Sequence, residues 1–446
     1  MPPTEPTGPE LRRSIGLVQA GAMVVGTILG ASIFVQPSVV TGHVPSIGGV
    51  FLVWTAAGVL TLFGSLVSAE LASAYPQTGG VYVFLRNAFS PALGFLWGWA
   101  MFWSMHSGII AAIGMVFARY TGFFLPLGDL GVRAVAIAAI LALSAVNYLG
   151  VRQGSALQTA FTIGKLLAVG VIIVVGFVLG SRLPEHFVPG TAPGRADYGP
   201  ALIAGLFTFG GWHMVTYAAG ETRDPERTIP RALVFGTLIV TACYVALNAV
   251  YLYVLPLDRV AGSTRIAADT AHALLGIGGG GFMAALVMFS TFGGLSGIVL
   301  AGPRVYFSMA QDRLLFGWLG AVHPRFRTPA RAIALQAVWS SVLVATGTYQ
   351  ELLTRVVYTE WIFFAAMAAG LFLLRRRPGY APRYRVFGYP IVPAVFIVSS
   401  LAIVINHIRS DPVESAGGLA LVLIGWPIYH LWVRRRPIPE DLRARH

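Results

Sequence analysis

The amino-acid sequence predicts an all-α polytopic membrane protein with about twelve transmembrane helices. Hydrophobic residues make up 56% of the chain and charged residues only 11%. Apolar runs of about 20 residues, the length a helix needs to cross hydrocarbon, recur from end to end. The basic residues gather in alternate loops, as a polytopic topology requires. A transmembrane β-barrel would show short segments of alternating polarity instead.

Hydropathy puts the spans near 16–40, 48–74, 92–118, 132–149, 157–180, 200–219, 232–255, 282–309, 331–347, 353–374, 389–407 and 417–433. They read as one transmembrane domain over 1–446. With both termini cytoplasmic, 22 arginines fall inside and eight outside: Arg119, Arg133, Arg182, Arg195, Arg259, Arg265, Arg355 and Arg409. That asymmetry sets the orientation, and it accounts for the net charge of +13 without a nucleic-acid partner. The opening 1–14, MPPTEPTGPELRRS, is a polar cytoplasmic tail with no signal-peptide pattern; 434–446 is the second tail. The cell's inner or plasma membrane is the expected location. The sole cysteine, Cys243, lies in the seventh span, so no disulfide forms within the chain. No His/Cys/Glu spacing suggests a metal site, and no nucleophile–base pair suggests an enzyme. No cofactor is expected. The runs Arg375–Arg377 and Arg434–Arg436 read as orientation signals and lipid-headgroup contacts.

Two spans are unlike the rest. The first reads GAMVVGTILGASIFVQP, with Gly21, Gly26 and Gly30 before Ser32 and Pro37. The sixth reads ALIAGLFTFGGWHMVTYAAGE, with Gly205 and the doublet Gly210–Gly211. Each glycine weakens a helix by about 1 kcal/mol relative to alanine. Close helix packing is reason enough for Gly21 and Gly205. The others stand at corresponding places in two five-helix halves, 15–180 and 198–375, with 376–433 outside them. Interrupted helices so placed point to a transporter's binding site. Their N-terminal ends favour a carboxylate, and their C-terminal ends and freed carbonyls an ammonium. A zwitterionic α-amino acid carries both.

Lys165 is the only lysine, and it sits inside the fifth span. A buried ammonium costs roughly 2.5–3.5 kcal/mol on insertion scales. The plain alternative is snorkelling to the nearer interface; the functional one is donation to carbonyls freed at the first break. Glu360 mirrors it in the tenth span, where pairing with Arg355 is the alternative. His106 in the third span and His213 after the sixth-span break are weaker candidates, because a buried histidine is often a satisfied core residue. Glu221 with Arg223, Asp224, Arg227 and Arg231 reads as an inner-face lattice of ion pairs. The outer loop 256–281 is expected to carry a short amphipathic helix near Ile266–Leu275, and the inner loop 310–330 is too irregular to span.

Four segments carry a resemblance over nearly the whole length: GTILGASIFVQP, PQTGGVYVFLRNAFSPALGFLWGW, FTFGGWHMVTYAAGETRDPERTIPRA, and FSTFGGLSGIVLAGPRVYFSMAQD followed by VHPRFRTPA. Together they resemble the amino acid–polyamine–organocation superfamily, close to bacterial L-type amino-acid transporters. The resemblance implies an inverted five-plus-five repeat (LeuT-like) with helices 1 and 6 broken and two further C-terminal helices. It implies that the substrate carboxylate meets amides around Gly30, Ala31 and Ser32. The ammonium would meet carbonyls near Ile28 and Phe207–Thr208. Phe207 corresponds to an aromatic gate, and Gly210 leaves room for the side chain. Lys165 corresponds to a lysine standing in for a sodium ion, with Ser290 and Thr291 beside it. Ser32, His213 and Gly220 depart from the pattern, where glycine, asparagine and glutamate are usual. The relatives' disulfide-linked accessory subunit finds no loop cysteine here. The expected function is sodium-independent amino-acid transport, by exchange or proton coupling. A polyamine or cationic amino-acid carrier is the alternative within the superfamily, and a membrane amino-acid sensor the alternative outside it.

Overall fold

A computed structural model of the chain describes residues 11–180, 196–276, 279–347 and 349–435. Most of the expected N-terminal tail, the tail beyond 435, and the outer-loop residues Arg182 and Arg195 lie outside the described residues. So do the side chains of Ala31, Arg355, Arg434 and Arg435.

The described chain is helical, with one isolated bridge, Ile15 to Thr222. The first span is two helices, α1 (Leu17–Ile28) and α2 (Gln36–His43). Next come α3 (Ile47–Ala74), the short α4 (Val81–Ala88), and α5 (Pro91–Ala100), which runs through a π-turn at Met101–Met105 into α6 (His106–Thr121). α7 (Asp129–Leu149) and α8 (Val151–Leu179) follow. The sixth span opens with α9 (Tyr198–Thr208) and continues as 3-10 turns over Trp212–Glu221. α10 (Pro225–Val254) leads to two loop helices, α11 (Leu257–Gly262) and α12 (Ile266–Leu275). The rest are α13 (Gly279–Ala301), α14 (Pro303–Gln311), α15 (Ala330–Thr346), α16 (Tyr349–Leu374), α17 (Ile391–Ser410), α18 (Pro412–Leu423) and α19 (Gly425–Arg435). Among the described residues, eight helices are long and apolar enough to cross a membrane. The chain is a multi-pass helical membrane protein.

Side-chain caps mark some of the helix starts. Ser46 accepts from the Gly49 amide at 3.2 Å and Ser90 from that of Leu93 at 3.3 Å, with Pro91 in the first turn. Such caps stabilise a helix by about 1 kcal/mol. Between helices, small residues and hydroxyls replace the hydrophobic drive that lipid removes. α3 lies along α10, where the Ser65 and Thr237 hydroxyls meet at 2.8 Å. α1 lies on α8 so closely that a Cβ at Gly26 would stand 2.1 Å from the Thr162 hydroxyl. Only glycine fits there.

Charged side chains tie down the end of the bundle that carries the N-terminus, and two expectations need correcting. Glu221 does not join Arg223, Asp224, Arg227 and Arg231. It is fully buried against Arg304 of α14, with Nε–Oε2 at 2.5 Å, and Arg304 also donates to the Leu300 carbonyl. The Glu221 carbonyl accepts from the Ser14 and Ile15 amides, so the same residue anchors the segment entering α1. Asp224 pairs loosely with Arg227 and with Arg383, both at 3.9 Å. Once buried, a carboxylate needs a charged partner, whereas ion pairs at an exposed loop contribute only about 0–1 kcal/mol.

Nor do Arg375 and Arg377 point to headgroups. Arg375 holds the buried Glu70 of α3 at 2.5 Å, and Arg377 donates to the Asn87 and Ala88 carbonyls at the end of α4. Tyr380, in the loop after α16, donates to the same Glu70 at 3.4 Å. Burial, and then the Glu70 charge, push its phenol above the ordinary range, so it remains a donor.

Candidate functional site at the two helix breaks

The first break is a chain of small backbone deviations. α1 stops at Ile28, and Leu29 takes φ −67°, ψ 77°. That is an inverse γ-turn, closed by the Gly30 amide donating to the Ile28 carbonyl at 2.7 Å. A 3-10 turn over Ala31–Phe34 then leads into α2. As opening residues of that turn, Ala31 and Ser32 carry amides with no acceptor inside it. Gly30 does not: its amide is already engaged.

The second break follows the same logic. α9 ends at Thr208, and the Phe209 and Gly210 amides turn back to Leu206 and Phe207. Gly211 then adopts φ +97°, where any side chain would be strained. A Cβ there would also approach Thr27 of α1 at 3.2 Å. The Thr27 hydroxyl contacts the Gly211 carbonyl at 3.2 Å. The two breaks are in direct contact.

A residue missing from the sequence-based set joins them. The Tyr244 hydroxyl, from α10, reaches the Ile28 carbonyl at 2.8 Å and the Thr208 carbonyl at 3.1 Å. These are the carbonyls expected to meet a substrate ammonium. The ring is held edge-on by Trp54 at 5.6 Å and by Phe209 at 4.9 Å. Nothing in the surrounding TACYVALNAV singles out this tyrosine.

Lys165 comes from the middle of α8 and is 2% exposed. Its Nζ donates to the Gly26 carbonyl at 3.0 Å and the Leu29 carbonyl at 2.7 Å. Both lie at the C-terminal end of α1, the negative end of its dipole. Ser290 of α13 contacts the same Leu29 carbonyl at 3.5 Å. Thr291 turns away, its hydroxyl bonded to the Val287 and Met288 carbonyls of its own helix. Snorkelling is therefore not what Lys165 does. One step along α8, Thr162 donates to the Ala22 carbonyl at 3.0 Å, so two side chains of this helix grip α1.

Phe207 stands apart from that cluster. It is 52% exposed and lines a cavity of about 540 Å³ with Gln36, Trp361, Asn406 and His407. His213 and Glu360 meet: Nε2 and Oε1 are 3.6 Å apart. His106 is a packed core histidine, its Nε2 2.9 Å from the Ile298 carbonyl.

Two interrupted helices pack on each other beside a buried lysine, the arrangement expected of a helical membrane carrier. A family model described as amino acid permease matches residues 15–426. The chain belongs to that family, within the amino acid–polyamine–organocation superfamily. It is 32% identical to the serine/threonine exchanger SteT of Bacillus subtilis, over 97% of this chain and 99% of that protein. Identity to the Asc-type amino acid transporter 1 of Mus musculus is 31%, over 96% of this chain and 83% of the relative. The human large neutral amino acids transporter small subunit 2 is 30% identical, over 96% and 81%.

Proposed function

We propose that the chain is a sodium-independent amino-acid transporter that binds a zwitterionic amino acid across the two breaks and exposes it alternately to either side. The observation that carries this is the Lys165 ammonium on the Gly26 and Leu29 carbonyls. A tethered cation occupies the oxygens that a bound metal ion would otherwise neutralise, so no external sodium is needed at that point. The substrate carboxylate would take the Ala31 and Ser32 amides, and its ammonium the Ile28 and Thr208 carbonyls. The Tyr244 hydroxyl, with one proton to share between those carbonyls, would yield them as substrate enters. Phe207 would swing over the loaded site, and Gly210 would leave space for the side chain.

Counting each interrupted pair as one span gives twelve, arranged as inverted halves over 15–180 and 198–375 with two helices outside. Both termini face the cytoplasm and the chain lies in the cell membrane. With one cysteine, Cys243, inside α10, no disulfide-linked subunit is required.

The test is counterflow in proteoliposomes preloaded with unlabelled serine, threonine, alanine or leucine, with and without sodium. Labelled substrate should enter in response to at least one of the four, at a rate indifferent to sodium, with putrescine failing to compete. An absolute sodium requirement, or uptake driven by putrescine alone, would overturn the proposal.

A further inference from the structure

Among the described residues, the pair on α16 and the sixth-span turns is unlike the other ion pairs away from the surface. Glu360 lies near the middle of α16, its side chain 13% exposed, and among the described residues His213 is its one ion-pair partner. His213 is 1% exposed, and neither ring nitrogen has a hydrogen-bond partner. The 3.6 Å between them is too long for a hydrogen bond but short enough for strong electrostatic interaction. The ring is enclosed by Trp97, Trp212, Tyr217 and Phe364, with centroids 4.8–6.1 Å away.

Among the described residues, the other titratable groups in electrostatic reach are Tyr217 on the same turns, His106 on α6 and Tyr306 on α14, none of them a permanent cation; the Arg355 side chain lies outside them. Elsewhere a buried carboxylate has an arginine: Glu221 has Arg304 and Glu70 has Arg375. Those pairs are neutral without a mobile proton. The Glu360–His213 pair is neutral only when it holds one proton, on either the carboxyl or the ring. Without it a bare carboxylate remains; with two, a net positive charge. Burial penalises both, so this arrangement favours the singly protonated pair. The proton belongs to the pair.

We propose that His213 and Glu360 form a proton-binding site, and that one proton crosses the membrane with each amino acid taken up. The pair spans two elements, α16 and the turns that follow the sixth-span break, so motion at that break changes its separation. The proton is held while the elements are closed on each other and released to water when they part. This site rests on the transporter proposal above and adds the coupling ion to it.

The experiment uses the full chain in proteoliposomes with no internal substrate, with a pH-sensitive dye inside. With the outside one pH unit more acidic, wild type should accumulate the amino acid about tenfold, since a unit of pH is 1.36 kcal/mol per proton. Adding substrate should acidify the lumen. In Glu360→Gln and His213→Asn the ratio of accumulation with and without the gradient should fall to one. Where a variant shows no counterflow, wild type decides: dicyclohexylcarbodiimide, which modifies protonated buried carboxyls, should label Glu360 and leave Glu221 unlabelled. The proposal is overturned if wild-type counterflow is intact but indifferent to the gradient. It is equally overturned if Glu360→Gln keeps the full ratio, or if Glu360 is not labelled. Absence of counterflow in wild type would instead overturn the transporter proposal itself.

Discussion

Lys165 and the His213–Glu360 pair are both ionisable and both sit largely out of solvent beside a helix break, yet they are built on opposite principles. Lys165 has its charge matched: two carbonyls at the dipole end of α1 accept from it at 2.7 and 3.0 Å. The His213–Glu360 pair meets at 3.6 Å with both ring nitrogens otherwise unpartnered. A cation donating to two fixed carbonyls ties the first break to α8 and serves as architecture. An unmatched pair changes charge whenever its surroundings do. The Glu221–Arg304 pair extends the comparison to the matched extreme, with both side chains fully buried.

Four substitutions would break or sharpen this contrast. The largest effect is expected at the most completely matched pair. Arg304→Met strands Glu221, and should destabilise the folded protein by about 3–5 kcal/mol, seen as a depressed unfolding temperature in detergent. A midpoint within a degree or two of wild type would mean that buried matching is not what holds that end together. Next comes Lys165→Ala, which leaves the Gly26 carbonyl unpaired, at about 1–3 kcal/mol, and the Leu29 carbonyl with the long Ser290 contact. Counterflow should drop about 100-fold, equivalent to roughly 3 kcal/mol, in protein whose elution profile remains monodisperse. A loss smaller than twofold would strip Lys165 of its role.

Tyr244→Phe removes the hydroxyl between the two breaks but keeps the ring against Trp54 and Phe209. The expected loss is about tenfold in counterflow, near 1.4 kcal/mol, with thermal stability barely changed. A large stability loss with normal counterflow would make the residue purely structural. The smallest effect separates the two kinds of site. Glu360→Gln removes a carboxylate that has no matched partner, so stability at neutral pH should stay within about 1 kcal/mol of wild type or rise. Destabilisation as deep as that of Arg304→Met would put Glu360 among the matched pairs.

Much of the fold was legible because hydropathy, glycine placement and charge each report a separate physical demand. The loop helix Ile266–Leu275 and the interruptions near Gly30 and Gly210–Gly211 lie where the pattern put them. Lys165 stood out as a charge in an apolar run. What the pattern could not carry was partnership. Tyr244 looks like any aromatic in a transmembrane helix until its hydroxyl is seen across two other helices. Arg304 counted as an inner-loop charge, although it falls within the expected span 282–309, and that position was the available signal for burial. The engagement of the Gly30 amide by Ile28 depends on the Leu29 dihedrals, which residue type does not dictate. The π-turn at Met101–Met105 left no mark in MFWSM that hydropathy reads.

The central claim is that Lys165 supplies, from within the chain, the positive charge that the first break requires. Its most direct measurement is counterflow of one labelled amino acid titrated with sodium, for wild type and Lys165→Ala side by side. Wild type should exchange at full rate in sodium-free buffer and give a flat titration, while Lys165→Ala stays low without sodium. Wild-type counterflow that is absent without sodium and rises with it would contradict the claim.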